Sequence, residues 1–287
     1  MDIGIGLPNT VPGTDGEALI DWARQAEEAG FSTLGTIGRL VYPSYEELIA
    51  LTAAAAVTSR IRLTTSVLLA PLYTNSALLA KQAASLDRLS GGRLVLGLGL
   101  GGRDDDFTAS GLTTEGRGRR LEEQLAEMKR IWSGEERGFA GAIGPEPARG
   151  GGPELILGGA SEASFRRVAQ LADGWIMGGG TPEMFAQAAA GVDAAWQNEG
   201  RQGKPRKLSL AYFALGSDAR AQADAYLLNY YAWLGDVAGQ IAASAAVSAE
   251  MVRSYAAAFE SSGCDELIFV PTSSRLDQVE LLAEATA

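Results

Sequence analysis

The residues best suited to chemistry in this chain lie in the stretch Leu94–Gly111, LVLGLGLGGRDDDFTASG. Its apolar start predicts a buried strand, and Gly99, Gly101 and Gly102 follow where that strand ends. Glycines there let the backbone approach a flat or phosphorylated ligand closely, because no Cβ stands in the way. The charged residues Arg103–Asp106 come next and could bind the polar part of a ligand. The stretch predicts a ligand-binding strand exit, with a tight, solvated turn as the alternative.

Two later glycine-rich turns predict a phosphate site. The first is Gly158-Gly159-Ala160-Ser161 and the second is Gly178-Gly179-Gly180, and each leads directly from a predicted strand into a predicted helix. Free main-chain N–H groups and the positive end of a helix dipole favour a phosphate at such a place. The alternative is that these turns carry small residues only because tight strand-to-helix turns need them. Two such turns beside the glycine-rich fourth exit favour a phosphorylated ligand.

The chain has no histidine and only one cysteine, Cys264. This composition excludes Ser-His-Asp and Cys-His catalysis, as well as metal sites built from histidine or from several cysteines. We therefore predict no metal centre. Any proton transfer must use carboxylates, tyrosine, lysine, arginine, water or a cofactor.

The overall charge of the chain limits the kinds of partner that it can bind. The formal net charge of −11 argues against binding to nucleic acid or to an anionic membrane surface. No run approaches the roughly 18 apolar residues of a membrane span, and the start of the chain has no signal-peptide pattern. We expect a cytoplasmic protein.

Hydrophobic patterning predicts eight strands, nearly all of them followed by a helix. They are Ile3–Leu7, Thr33–Ile37, Ile61–Leu69, the start of Leu94–Gly111, Leu155–Leu157, Trp175–Met177, Leu208–Leu215 and Glu266–Val270. Alternating strands and helices imply parallel pairing, and eight such units in 287 residues match a (β/α)8 TIM barrel, here a single domain over 1–287. An open doubly wound sheet is the alternative, but it would usually carry a glycine signature after its first strand.

Short signals predict where several helices begin. They are Thr14 with Glu17 and Ser44 with Glu47, both spaced as capping boxes, then Asn75 or Ser76, and Thr181 before Pro182. The aromatic residues of Ala219–Ser261 have helical spacing, which favours core packing over a pocket for a flat ring.

The segment Gly134–Gly152 is dominated by glycine and proline. Such composition predicts a long, flexible loop without regular structure. Long loops in compact domains are often lids, and we predict that this one closes over the mouth of the barrel.

The order of motifs along the chain resembles that of the luciferase-like flavin-dependent oxidoreductases. The matching pieces are IGIGLP, AEEAGFSTL, RIRLTTSVL, LAKQAASLDRLSGGRLVLGLGLGGRDDDFTASG, RGRRLEEQLAEMKRIWSG, ELILGGASEASFRRVAQLADGW and GCDELIF. Each piece alone is loose, but their order and spacing over nearly the whole chain are specific. The family includes FMN-dependent monooxygenases and enzymes that use the deazaflavin F420.

The resemblance implies FMN, or alternatively F420, at the carboxyl ends of the strands. It implies a non-prolyl cis peptide at Ser66-Val67 against the flavin ring. The cofactor-binding residues it implies are Leu7, Ser66, Val67, Gly99, Gly101, Gly102, Asp106, Gly158, Gly159, Ala160, Ser161, Gly178 and Gly179. A homodimer through helices near the second and third strands is a further expectation.

One departure from the family concerns catalysis. Many members carry a histidine at the exit of the second strand, where this chain has Ile37-Gly38-Arg39-Leu40. Arg39 is the candidate to replace it, as a charge that stabilises a reduced flavin or a bound anion.

The resemblance implies a monooxygenase that uses reduced FMN and O2 on a small organic substrate, with a separate flavin reductase as electron source. The alternatives are F420-dependent hydride transfer and a flavin-binding protein without catalysis. A cofactor-free aldolase or isomerase would want a Schiff-base lysine at a strand end. The lysines, at positions 81, 129, 204 and 207, are predicted on or beside helices.

Overall fold

A closed ring of parallel strands organises the computed structural model, which describes residues 1–287. The strand order is β3-β2-β1-β9-β8-β7-β6-β5-β4, and an additional pairing of β3 with β5 closes the ring. β3 pairs with the start of β5 (Leu63 with Leu94), and β4 pairs with the end of β5 (Leu68 with Leu98). β3 and β4 therefore occupy a single strand position in the barrel. This confirms the predicted (β/α)8 barrel.

Nine strand segments form the barrel. They are β1 (Asp2–Gly6), β2 (Thr33–Thr36), β3 (Arg62–Thr65), β4 (Leu68–Leu69), β5 (Leu94–Gly99), β6 (Glu154–Gly158), β7 (Gly174–Met177), β8 (Arg206–Phe213) and β9 (Glu266–Pro271). The single strand predicted over Ile61–Leu69 is therefore two segments, which are separated by Ser66 and Val67.

Eleven α-helices surround and extend the barrel. They are α1 (Gly16–Glu28), α2 (Glu47–Ala55), α3 (Ser76–Leu89), α4 (Asp104–Ala109), α5 (Arg117–Trp132), α6 (Glu162–Leu171), α7 (Pro182–Asn198), α8 (Ala219–Tyr230), α9 (Val237–Ala243), α10 (Ala249–Ser261) and α11 (Asp277–Thr286). Short 3-10 turns occupy Ala70–Leu72 and Ala232–Leu234. None of the helices is both long enough and apolar enough to span a bilayer.

Two of the four predicted helix starts are wrong by one or more residues. The Asp15 carboxylate caps α1 by accepting from the Ala18 N–H at 2.8 Å, whereas the Thr14 hydroxyl donates to the Val11 carbonyl at 2.8 Å. In the same way, Glu46 caps α2 by accepting from the Ile49 N–H at 2.7 Å. Caps at Asn75 and Thr181 are confirmed.

Apolar side chains form two cores, one on each side of the barrel wall. The outer core, between strands and helices, contains Trp22, Trp175 and Phe185. The inner core contains Ile156 and Ile268, together with residues on the underside of α8. Burial on both faces explains why the strands read as nearly continuous apolar runs.

Charged side chains close the amino end of the barrel. Glu266, at the start of β9, is fully buried and pairs with both Arg62 and Arg206. Arg206 also donates to Glu154 at 2.9 Å. The Glu266 carboxylate therefore joins β3 and β8 across the barrel floor.

The segment Gly134–Gly152 lies at the amino end of the barrel, so its predicted position over the mouth is wrong. It follows α5, whose last turn lies beside the end of α6, where Lys129 donates to the Leu171 carbonyl at 2.7 Å. The Ala148 N–H donates to the Asp87 carboxylate at 2.8 Å, near the end of α3. Both helices run away from the mouth, so this segment cannot cover it.

A different segment covers part of the mouth. We call Ala219–Ala246, which contains α8 and α9, the mouth segment. Tyr226 hydrogen bonds with Thr10 at 2.6 Å, and Asn229 accepts from the Tyr42 hydroxyl at 2.7 Å. The mouth segment thus starts at β8 and reaches the exits of β1 and β2.

A turn immediately before β3 binds the carboxylate of Glu27, on α1. The main-chain N–H groups of Ser59, Arg60 and Ile61 donate to it at 2.6–2.9 Å. Burial by itself would raise the pKa of Glu27, but these donors outweigh it and lower the pKa to about 2. The charged form is therefore the one that stabilises the fold.

We expect Glu27→Gln to lower the free energy of unfolding at pH 7 by about 2 kcal/mol, because a neutral amide accepts these bonds less strongly. A lowered folded-state pKa gives stability that is complete above the unfolded value of 4.5 and is lost as pH falls towards about 2. The difference from wild type should therefore shrink in urea titrations at pH 4. Glu28→Gln, on the exposed side of the same helix, is the control, and an equal effect of both variants would contradict the assignment.

Candidate active site

Two helix N-termini lie side by side at the carboxyl ends of β6 and β7. At the first, the Ser161 hydroxyl accepts from the Ser164 N–H at 3.2 Å, and the Ser164 hydroxyl accepts from the Ser161 N–H at 2.8 Å. Gly159 has a φ of +136°, and a Cβ there would lie 2.6 Å from the Ser164 Cβ. The turn before α6 therefore requires glycine, both for its conformation and for space.

The β7 exit is more open. A Cβ at Gly178 or at Gly179 would meet no atom within 4 Å, although Gly179 has a φ of +109°. The Trp175 indole donates to the Gly159 carbonyl at 2.7 Å and ties the two turns together. Both turns are largely solvent-exposed, so their main-chain groups can reach a bound anion.

Val67 lies between the glycines of β5 and β6 at the inner edge of the mouth. A Cβ at Gly99 would lie 2.5 Å from Val67 Cγ2, and one at Gly158 would lie 3.6 Å from Val67 Cγ1. The Ser66–Val67 peptide is cis, as the resemblance implied. The Ser66 hydroxyl donates to the Thr36 carbonyl at 2.9 Å, which joins this bend to β2.

The other residues predicted to contact a cofactor are distributed around the same end of the barrel. Leu7 is buried, and its N–H donates to the Gly35 carbonyl at 2.7 Å. Gly101 and Gly102 follow β5; a Cβ on Gly101 would lie 3.3 Å from the Phe107 ring and one on Gly102 would lie 3.8 Å from the Trp233 ring. The structure therefore brings the predicted residues to one end of the molecule.

Two arginines and several aromatic rings occupy the part of the mouth near β2 and β5. The Arg39 guanidinium lies 5.0 Å from the Tyr42 ring centre and 5.7 Å from that of Tyr230. Arg103 lies 5.0 Å from Tyr230 and 5.5 Å from Trp233. These are cation–π distances, so the mouth segment is attached to the barrel through stacked arginines.

The arginines are held by protein groups. Arg39 donates to the Tyr230 carbonyl at 2.8 Å and to Asp105 at 3.0 Å, while its Nε has no partner. Arg103 lies 3.7 Å from the carboxylate of the buried Asp106. Asp106 accepts from the Val41 N–H at 2.7 Å, so in this structure its carboxylate contacts the protein and links the β5 exit to the β2 exit.

Tyr226 and Tyr230 of the mouth segment pack in the core, as predicted, whereas Trp233 is 44% exposed. Tyr226 and Tyr230 are buried and stack with a centroid distance of 5.4 Å. Tyr231 and Tyr212 share a hydrogen bond of 2.7 Å between their hydroxyls. Burial raises the pKa of Tyr212, Tyr226 and Tyr231, so these phenols stay neutral near pH 7.

A cavity of about 260 Å³ lies beside the arginines. It is lined by Arg39, Leu40, Ser44, Glu46, Glu47, Leu69, Leu72 and Tyr73. Tyr73 donates to the Glu46 carboxylate at 2.7 Å. The cavity is thus bounded by the exits of β2 and β4 and by the start of α2.

Glu47, which lines this cavity, was predicted to form a capping box with Ser44, but it does not cap α2. Its side chain is buried, and its Oε1 would lie 1.7 Å from a Cβ at Gly38. Burial, with repulsion from Glu46 and Asp106, raises the pKa of Glu47 to about 7. Its spacing from the buried Leu51 and Ala54 was a signal in the sequence, because positions i, i+4 and i+7 share one helix face.

The lysines lie outside this site. Lys207 is on β8, and not on or beside a helix as predicted. It is the second residue of that strand, near the amino end of the barrel, where its amino group donates to Asp193 at 2.7 Å. No lysine lines the candidate cavity.

Comparisons with known proteins give a consistent picture. A family model described as luciferase-like monooxygenase matches residues 1–268. An uncharacterised protein of Mycobacterium tuberculosis is 34% identical over 172 residues, which cover 56% of this chain and 60% of that protein. The chain thus matches somewhat less than two thirds of the length of this relative.

Two further similarities concern proteins with a stated activity. The FMNH2-dependent dimethylsulfone monooxygenase of Pseudomonas putida is 27% identical over 191 residues, which cover 63% of this chain and 51% of that protein. The structure of an F420-dependent secondary alcohol dehydrogenase superposes with a TM-score of 0.84 at 14% identity, covering 100% of this chain and 99% of the other. The latter likeness concerns the fold.

Proposed function

The chain belongs to the luciferase-like monooxygenase family, and from this premise we propose that it is a flavin-dependent oxidoreductase. The proposed reaction is oxygenation of a small organic substrate by O2 with reduced FMN. The observation that carries the proposal is the pair of adjacent glycine turns at the N-termini of α6 and α7, at the same end of the barrel as Val67.

The two turns fit a phosphate. The exposed turn Gly158–Ser161 leads into α6, and Gly178–Gly180 leads into α7. Side-chain hydroxyls already accept from the N–H groups of Ser161, Ser164 and Met184. The other main-chain N–H groups of the two first turns have no intrahelical partner and favour an anion. Since a Cβ at Gly178 would meet open space, a phosphate has room to approach.

The inner mouth fits a flat ring. The absence of a side chain at Gly99 and Gly158 makes room for the aliphatic side chain of Val67, which supplies an apolar surface. The mouth segment covers the side of the mouth near β1, β2 and β5, whereas the β6 and β7 turns are exposed. A phosphorylated ring would thus place its phosphate at the open side and its ring under the covered side.

When bound, reduced flavin supplies the electrons for oxygen activation, which no side chain of this protein can supply. The residues of the protein bind, orient and exclude water. Arg39 and Arg103 place two positive charges at the mouth, 11% exposed in each case. The carboxylates of Asp105 and Asp106 offset part of this charge. Water screens the remainder only partly at that burial, so it would favour a negative charge on a bound group.

The same turns suit the phosphate of the deazaflavin F420, and F420-dependent hydride transfer is the alternative reaction. With FMN, a separate flavin reductase would supply the reduced cofactor. The decisive experiment is titration of the purified protein with FMN and, separately, with F420, followed by fluorescence quenching. Saturable binding of one supports the proposal and identifies the cofactor, and binding of neither would overturn it.

Gly178→Asp is expected to weaken binding of the phosphorylated cofactor on the order of 10- to 100-fold, because it places a carboxylate beside the proposed phosphate. Gly178 has an ordinary backbone conformation and free space around it, so the fold should be unchanged. Gly178→Asn is the matched control, since it has the same shape without the charge. Equal affinities for the two variants would show that the phosphate lies elsewhere.

A further inference from the structure

The buried carboxyl of Glu47 has no structural task that explains its position. Glu46, and not Glu47, caps α2 and accepts from the Tyr73 hydroxyl. Glu47 makes no ion pair within 4 Å, although the arginines of the mouth lie nearby. A carboxyl is costly to bury without a partner, so a buried one on a cavity wall is a candidate for function.

The fold makes space for this carboxyl. Gly38 lies at the exit of β2, and the position that its Cβ would take is 1.7 Å from Glu47 Oε1. Leu51 and Ala54, on the same face of α2, are buried and fix the helix. The carboxyl is therefore held between the β2 exit and the cavity.

The groups that face Glu47 come from six parts of the fold. They are Glu46 on α2, Arg39 at the β2 exit, Tyr73 before α3, Arg103 and Asp106 at the β5 exit and on α4, and Tyr230 on α8. Burial and the two carboxylates oppose ionisation of Glu47, and Arg103 favours it only in part. The outcome is a group that changes protonation near pH 7, which suits proton transfer at that pH.

We propose that Glu47 is the acid–base catalyst of this site, and that the cavity it lines holds a small, uncharged, oxygen-bearing organic substrate. This inference rests on the proposed function. It assigns to Glu47 a proton transfer for which the chain has no histidine. The cavity of about 260 Å³ is smaller than the roughly 300–1,000 Å³ of sites for drug-sized ligands. Leu40, Leu69 and Leu72 on its wall favour an uncharged molecule.

The proposed step moves one proton and no electrons. The O–H bond of the Glu47 carboxyl breaks, a new O–H bond forms on the substrate oxygen, and a carboxylate remains. The electrons of the overall reaction come from the reduced flavin or deazaflavin of the proposed function. Leu40 is 55% exposed, so the cavity reaches the surface and water can return the proton.

The first test needs no cofactor. Infrared titration of the wild type between pH 5 and 9 should show the carbonyl band of a protonated carboxylic acid that disappears near pH 7. Glu47→Gln should lack this band, and the control Glu123→Gln, on the exposed face of α5, should keep it. A band that survives in Glu47→Gln, or no such titration in the wild type, would overturn the proposal.

The second test uses turnover of dimethyl sulfone with reduced FMN and O2, or of acetone with reduced F420, whichever cofactor binds. Glu47→Gln should lower kcat by roughly 100-fold or more, leave cofactor affinity unchanged and remove the limb of the pH profile near pH 7. Glu47→Asp should restore part of the rate. A Glu47→Gln enzyme with the rate and pH profile of the wild type would refute the assignment.

The two proposals fail in different ways. If the wild type binds neither FMN nor F420, the proposed function is wrong, whatever the infrared titration shows. If the cofactor binds and the infrared band belongs to another residue, only the role of Glu47 is wrong.

Discussion

Gly97→Ala is expected to lower the free energy of unfolding by at least about 3 kcal/mol, or to prevent folding. Gly97 lies in β5, where a Cβ would be 2.0 Å from the main-chain oxygen of Thr65 and 3.5 Å from Val67 Cγ1. The Thr65 hydroxyl also donates to the Gly97 carbonyl at 2.7 Å. Because the 2.0 Å contact is with a main-chain atom where the barrel closes, no side-chain rotation can relieve the clash.

Urea unfolding of soluble protein measures this effect, with the soluble yield as a second readout. The control is Gly239→Ala in α9, where a Cβ would meet no atom within 4 Å. Alanine is preferred over glycine inside a helix, so the control should gain up to about 1 kcal/mol. A Gly97→Ala protein as stable as the wild type would show that β3 and β5 do not approach each other this closely.

Glu266→Ala is expected to lower the free energy of unfolding by about 3 kcal/mol, since it breaks two ion pairs and a hydrogen bond of one fully buried carboxylate at once. Glu266 is fully buried, and its carboxylate pairs with Arg62 and Arg206 and accepts from the Ser32 hydroxyl. Both arginines keep a second partner and some contact with water, which limits the loss. Unfolding by urea at neutral pH is the measurement.

Glu154→Ala is the matched control for the barrel floor. Glu154 pairs with Arg206 but is 23% exposed, and partly exposed ion pairs contribute about 1 kcal/mol or less. If the two variants lose equal stability, burial of Glu266 is not the source of its contribution.

The architecture could be predicted because it depends on patterns that repeat along the chain. Eight apolar runs, each followed by helical spacing, imply a closed parallel barrel, and the glycine turns at Gly158 and Gly178 mark its carboxyl end. Two helix starts were wrong because more than one residue near each start can act as an N-cap, and the sequence does not show where the chain enters the helix. Asp15 caps α1, whereas the Thr14 hydroxyl is part of the preceding turn, where it donates to the Val11 carbonyl.

The composition of the site was harder to predict, because it depends on contacts between distant parts of the chain. The predicted position of Gly134–Gly152 was wrong. Glycine content indicates that a loop is irregular, but not at which end of the barrel the loop lies. The true cover, the mouth segment, reads as ordinary amphipathic helices. Glu47 was assigned to a capping box, although its spacing from Leu51 and Ala54 indicated a buried helix face, and the packing of Gly38 against it shows the buried acid.

The mouth segment has a consequence for how this protein can diversify. Its aromatic residues reach the barrel from a single insertion between β8 and β9, whereas the proposed phosphate turns belong to β6 and β7. If the proposed phosphate turns are correct, the segment that covers the mouth can therefore change in sequence or length without altering the residues that would bind the phosphate.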